Sequence, residues 1–304
     1  MTTGTTPTAA TLKGTSTVRA RCGGALATLA LVLGVLTGVV PGSSAGATGP
    51  PPLTGITQIT SGAMHSCALL NSGSVRCWGD NGFGQLGNGT TRDASVPLAV
   101  AGITNAVAID SASTSLSTCA VLATGGVRCW GRNHHGQLGN GTTTDSTTPV
   151  AVSNITGATS IAAGQDHTCV ALSNGEARCW GWNNRGQLGN GTTTDTLVPA
   201  TVTGLTGAAA VSAGGGHTCA ALTDQSVRCW GSNAWGELGD GSSATDSKVP
   251  VMVSGISTAT AISSGFAHTC ATLTSGGVRC WGQNIDGQLG DGTFVSSTRP
   301  VTVS

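Results

Sequence analysis

Cysteine occurs in pairs ten residues apart: Cys67 and Cys77, Cys119 and Cys129, Cys169 and Cys179, Cys219 and Cys229, Cys270 and Cys280. Two chemistries suit that spacing. A turn such as Asn71-Ser72-Gly73 between short apolar strands sets Cys67 opposite Cys77, and directly opposed strand residues have Cβ atoms about 4.5–5.5 Å apart, close to what a disulfide requires. Each such bond closes a short loop and stabilises by about 2–3 kcal/mol. The other chemistry is metal binding. His65 lies two residues before Cys67, so both point to one face of a strand, and Cys77 opposite makes three ligands. His167, His217 and His268 repeat the arrangement, but Ser117 breaks it and no fourth ligand is supplied. The spacing therefore favours five disulfides and no metal. It leaves the histidines to hydrogen-bond a neighbouring backbone carbonyl.

Catalytic constellations are absent. There is no Gly-x-Ser-x-Gly, no His-Glu-x-x-His and no phosphate loop, and nothing calls for a cofactor. Aspartates recur at Asp93, Asp145, Asp195 and Asp246, and arginines at Arg76, Arg128, Arg178, Arg228 and Arg279. Charges that recur in place have structural work to do: the aspartates cap turns or pair with the arginines. An arginine-lined anion site is the alternative.

What differs between copies is one loop. The variable pairs are Gly82-Phe83, His134-His135, Asn184-Arg185, Ala234-Trp235 and Ile285-Asp286, and Trp182 stands where other copies have Asp80, Arg132, Ser232 and Gln283. Tryptophan, arginine and other aromatics are enriched at binding hot spots. Phe83, His134, His135, Trp182, Arg185, Trp235 and Ile285 are therefore the candidate binding residues, against simple drift on a solvated loop.

These residues hang on a repeat. Arg-Cys-Trp-Gly recurs with Trp78, Trp130, Trp180, Trp230 and Trp281, at steps of 52, 50, 50 and 51 residues. A period of this size marks a repeat architecture. Each copy predicts about four short strands, in the first near Ile56–Thr60, Ser66–Leu70, Ser74–Trp78 and Pro97–Val100, with Asn-Gly turns between them. Four-stranded sheets repeated radially make a β-propeller. Leu86, Leu138, Leu188, Leu238 and Leu289, each flanked by glycine, read as core plugs. The repeats divide the chain at about 53–102, 103–154, 155–204, 205–255 and 256–304. With 48 glycines, 3% aromatic and 9% charged residues, against roughly 25% charged in ordinary domains, the composition suits strands and turns rather than helices.

The first 47 residues have another character. Lys13, Arg19 and Arg21 precede an uncharged run from Gly24 to Val40, then Ala45-Gly46-Ala47. This is the layout of a cleaved secretory signal peptide, with an uncleaved anchor as the alternative; residues 48–52 form a short linker. Cleavage leaves ten basic and 13 acidic residues, hence a net charge of −3. No polybasic run remains to attract nucleic acid or an anionic membrane. Export also places the cysteines in oxidising surroundings.

The motifs His-x-Cys, Arg-Cys-Trp-Gly-x-Asn and Gly-Gln-Leu-Gly-Asn-Gly resemble repeats of the regulator of chromosome condensation family, as found in secreted bacterial proteins, over residues 53 to 304. That resemblance implies a propeller, usually of seven blades. Five repeats imply either a closed five-bladed ring or an open arc of a larger propeller. A blade out of phase with the repeat would pair Val301–Ser304 beside Ile56–Thr60. The family's nucleotide exchange on a small nuclear GTPase needs an inserted wedge, which these compact repeats lack. Members also include a secreted inhibitor of β-lactamase and a plant light receptor. The expectation is a secreted, non-catalytic propeller that binds an extracellular protein or glycan. Enzyme inhibition is a narrower case of it, and an enzyme using the central channel belongs to a different class.

Overall fold

The computed structural model describes residues 51–111, 114–243 and 245–304. The signal-peptide reading of residues 1–47 lies outside them. Hydrophobic strands bounded by Gly, Asn and Asp turns fold as antiparallel hairpins, and each repeat makes one four-stranded sheet. In the first these are β1 (Ile56–Ser61), β2 (His65–Leu70), β3 (Val75–Gly79) and β4 (Ala94–Ala99), in the spatial order β1-β2-β3-β4. All five sheets keep this order, so the blade and the sequence repeat are in phase. Val301 pairs with Cys280 of its own blade, and the out-of-phase pairing with Ile56–Thr60 is not formed. The fourth strand begins three residues earlier than its sequence signal, because Pro97 sits inside a half-exposed outer strand. An edge strand tolerates a residue that cannot donate.

The first strand of each blade lies innermost. Gln58 brackets Ile109 of the next blade by two side-chain bonds of 2.8 and 3.0 Å. Ala163 N–H donates to Asp110 Oδ2 at 2.7 Å, and Ser264 N–H to Ser212 Oγ at 2.8 Å. The first strands of the second to fifth blades line a central cleft of about 270 Å³ whose one titratable lining group is Asp110. Burial pushes the Asp110 carboxyl up to about 6, against bonds from Ala163, Ser111 and Thr60.

The core is not one mass. Four clusters join the blades in successive pairs, from the first and second to the fourth and fifth. The plug leucines Leu86, Leu138, Leu188, Leu238 and Leu289 are fully buried. Each blade contact uses one polar device. The Gln187 carbonyl accepts the Trp230 indole N–H at 2.8 Å and the Thr218 hydroxyl at 2.9 Å. The Thr218 oxygen lies 2.9 Å from His167 Nε2, which donates because the hydroxyl proton is already committed to the carbonyl. Trp130, Trp180 and Trp281 make the same bond to Gln85, Gln137 and Glu237. His65, His167 and His217 thus bond a threonine on the next blade rather than a backbone carbonyl. A Cβ at Gly189 would sit 2.8 Å from the Trp230 ring, at a φ of +66°. Glycine is needed there on both counts.

The fifth contact of this kind is not made. Among the described residues no hydrogen bond and no core cluster joins the last blade to the first. Trp78 is half-buried while its four counterparts are fully buried. Of the two arrangements open to five repeats, the structure is the open arc.

Candidate functional site

In each hairpin the cysteines face each other. Cys67 pairs with Cys77 in register, with Cα atoms 4.1 Å apart and the sulfurs bonded. The other four blades repeat this at the same Cα separation of 4.1 Å: Cys119 is bonded to Cys129, Cys169 to Cys179, Cys219 to Cys229 and Cys270 to Cys280. Cys129, Cys179 and Cys229 are fully buried inside their sheets, so these sulfurs staple the scaffold and take no part in a ligand-binding surface. Among the described residues no cluster of three or more His, Cys, Asp or Glu is arranged to hold a metal. Burial holds His65 and His167 at about 4 and His217 at about 3. They are neutral and structural.

The loops after the third strands and those between the first and second strands leave the sheet at the same end, so they share one face. A repeated asparagine shapes the longer loop. Asn183 Nδ2 donates to the Thr192 and Thr194 carbonyls at 3.2 and 3.0 Å, and its Oδ1 accepts the Leu188 N–H at 2.9 Å. Asp195 Oδ1 accepts the Asn183 N–H at 2.8 Å, and Asp93, Asp145 and Asp246 do the same for Asn81, Asn133 and Asn233. The aspartates cap the loop as expected. The second oxygens of three of them turn to variable-loop residues and not to the repeat arginines. Asp145 meets His134 at 3.5 Å, Asp195 meets His135 at 3.0 Å, and Asp246 meets Arg185 at 3.2 Å.

Those contacts run along the face from blade to blade. Arg132 lies 5.9 Å over the Phe83 ring, and His134 meets Phe83 edge-on at 5.8 Å. On the other side His135 lies 5.7 Å from Trp182. Arg132 also reaches Asp166 at 3.2 Å, where Gln137 donates too at 2.9 Å. Trp182, Arg185 and Trp235 then come together around a cleft of about 230 Å³ spanning the third, fourth and fifth blades. Ile285 is exposed on the next loop and is not part of its wall.

Among the other lining residues, Gln165, Glu237 and Phe266 bring side chains that were not singled out from the sequence. Glu237 and Phe266 carry a signal within the repeat. Glu237 stands where other copies have Gln85, Gln137, Gln187 and Gln288, and Phe266 takes the place of Ala63, Ser115, Gln165 and Gly215. Phe266 is 57% exposed. It lies against Gly215, where a Cβ would stand 2.6 Å from the ring. Glu237 is nearly buried, accepting the Trp235 N–H at 2.7 Å and the Ser232 hydroxyl at 3.2 Å. Desolvation raises its carboxyl above the ordinary range.

Residues 54–304 match the family described as the RCC1-like domain. The chain belongs to that family. As an RCC1-like domain it is 38% identical over 115 residues to the human E3 ubiquitin-protein ligase HERC2, covering 37% of this chain and 2% of HERC2. It is 38% identical over 116 residues to the Arabidopsis thaliana ultraviolet-B receptor UVR8, covering 37% of this chain and 26% of UVR8. Both matches span a minor part of those proteins. Human WBSCR16 superposes with a TM-score of 0.73 at 22% identity, over 82% of this chain and 67% of that one. Yeast RCC1 (Prp20) superposes with a TM-score of 0.54 at 19% identity, over 82% and 75%. These likenesses show the fold. Within the RCC1-like repeat, the face just described is where this chain departs from its own consensus.

Proposed function

We propose that the chain is an exported, non-catalytic binding module that engages an extracellular macromolecule through its variable-loop face. One observation carries the reading. The chain has seven tryptophans, five of them at the repeat position, and the remaining two, Trp182 and Trp235, both line one cleft. Trp235 is 44% exposed, a costly placement for an indole that has no partner. Export is supported by the signal-peptide layout of residues 1–47 and by five cysteine pairs within bonding distance, which persist in oxidising compartments. N-terminal sequencing of secreted material should begin at Thr48.

The binding face is tested by replacing Trp182 and Trp235 together with alanine. Loop-tip truncation leaves the melting temperature nearly unchanged, while affinity for the extracellular partner falls by about 2 kcal/mol or more. If the double variant retains the same extracellular material as the parent with the same affinity, or if it unfolds, the face is not the binding site.

A further inference from the structure

We propose that the cleft between Trp182, Trp235 and Phe266 receives a cationic side chain of a partner protein, a lysine or arginine, with the Glu237 carboxylate as its counter-charge. This rests on the reading of the variable face as a binding surface and adds the chemistry that it recognises.

The argument begins with the repeat. In the first blade the glutamine at this position donates from Nε2 to Asp80, and in the second Gln137 donates to Asp166 at 2.9 Å. The scaffold there contains an amide donor and a carboxylate acceptor. In the fourth blade both partners change. Glu237 brings the carboxylate itself, while Ser232 replaces Asp80 and Ala267 replaces Asp166. The acceptor remains and the donor is gone. Glu237 keeps the structural bond of its position, from the Trp235 N–H at 2.7 Å, as Gln187 does from the Arg185 N–H at 2.9 Å. Its remaining protein donor is the Ser232 hydroxyl at 3.2 Å. A carboxylate has about four lone-pair sites, so acceptor capacity is left over at the floor of the cleft.

Among the described residues no cation fills it. Arg185, the one cationic residue of the lining, is turned to Asp246 at 3.2 Å. Three aromatic side chains, Trp182, Trp235 and Phe266, line the same cleft as Glu237. Aromatic faces attract cations within about 6 Å of the ring centroid, most strongly when water is excluded. A nearly buried carboxylate in a cleft lined by two indoles and a phenyl is complementary to an ammonium or guanidinium. It repels an anion and gives a neutral ligand no electrostatic advantage.

The experiment uses the full secreted chain and three probes: a labelled penta-lysine peptide, the same peptide with every lysine acetylated, and cellohexaose. The lysine peptide should bind saturably at 0.15 M salt and the acetylated one should not. Glu237→Gln restores the residue of the other four repeats and should fold normally. It should weaken the lysine peptide by about tenfold or more. Asp224→Asn removes an equal charge from a turn at the opposite end of the sheet and should leave binding unchanged. Equal losses in Glu237→Gln and Asp224→Asn would reveal only bulk attraction and overturn the proposal. Tighter binding of cellohexaose than of the lysine peptide would assign the cleft to a glycan. If the double variant of Trp182 and Trp235 loses the natural partner while Glu237→Gln keeps it, the face binds without a cation, and only this inference fails.

Discussion

The indoles of Trp130, Trp180, Trp230 and Trp281 are fully buried and each donates to a carbonyl of the preceding blade at 2.8–2.9 Å. Trp78 has the same neighbours in sequence but packs against no other blade's carbonyl among the described residues. It is half-buried, and no bond from its indole is formed among the described residues. Trp230→Ala therefore leaves a large cavity and removes one of the two bonds to the Gln187 carbonyl, and should cost about 3–5 kcal/mol. Trp78→Ala should cost less than half of that in the same urea titration. Equal costs would mean that the first and last blades do meet. The same reasoning separates scaffold from site: a residue repeated and buried supports the fold, whereas Trp235 and Glu237 depart from the repeat and line a cleft. The departures at the variable loop were visible in the sequence. Glu237 and Phe266 were visible too, as single changes in an otherwise regular column. Only their convergence from three blades onto one cleft gives them meaning.

Within a blade, the hairpin of the second and third strands is the most regular element. Cys67 faces Cys77, Ala68 faces Arg76 and Leu69 faces Val75. The same register sets Cys119 opposite Cys129, Cys169 opposite Cys179 and Cys219 opposite Cys229. The period-2 pattern and the tight turn determine this register, which is why the pairing of the cysteines was legible in the sequence. Peptide mapping without reductant should find five links, each within its own repeat, and no free thiol in the secreted chain. Cross-repeat links or stoichiometric zinc would contradict the hairpin geometry. The fourth strand was less legible. Its residues Ala94–Ala99 are mostly half-exposed, so they carry no alternating pattern, and proline interrupts the signal.

At the scale of the whole molecule, stability depends on pH through groups buried in different blades. His65, His167 and His217 have pKa values lowered to about 4, 4 and 3. The unfolded chain binds protons at these positions below about 6.5 and the folded chain does not, so acidification favours unfolding. Asp110, raised to about 6, has the opposite sign: the folded chain holds its proton longer, so stability is gained as pH falls through 6. Asp166 and Glu237 are raised as well and add to that opposing sign. The carboxyls act mainly toward the lower end of the window, and the three histidines prevail above it. The melting temperature should fall on acidification from pH 7 to 5. His217→Ser, which copies the residue of the second repeat at Ser117, should reduce that slope by up to about 1.4 kcal/mol per pH unit. An unchanged slope would show that His217 is protonated in the folded state.

The repeat period, the four-strand blade, the cysteine pairing and the plug leucines were all determined by the sequence alone. Each follows from local spacing: alternation decides which side chains share a face, and glycine and asparagine decide where the chain turns. The family match over residues 54–304 agrees with that reading. Three features awaited the tertiary structure. Five blades leave an open arc, because closure depends on the angle between neighbouring sheets, which no residue pattern states. His65, His167 and His217 each bond a threonine about fifty residues away, as His167 does Thr218, because that partner lies on the next blade. Trp182, Trp235, Phe266 and Glu237 meet at one cleft, because stacking the sheets in phase carries equivalent loops to one face and brings successive blades within reach of each other.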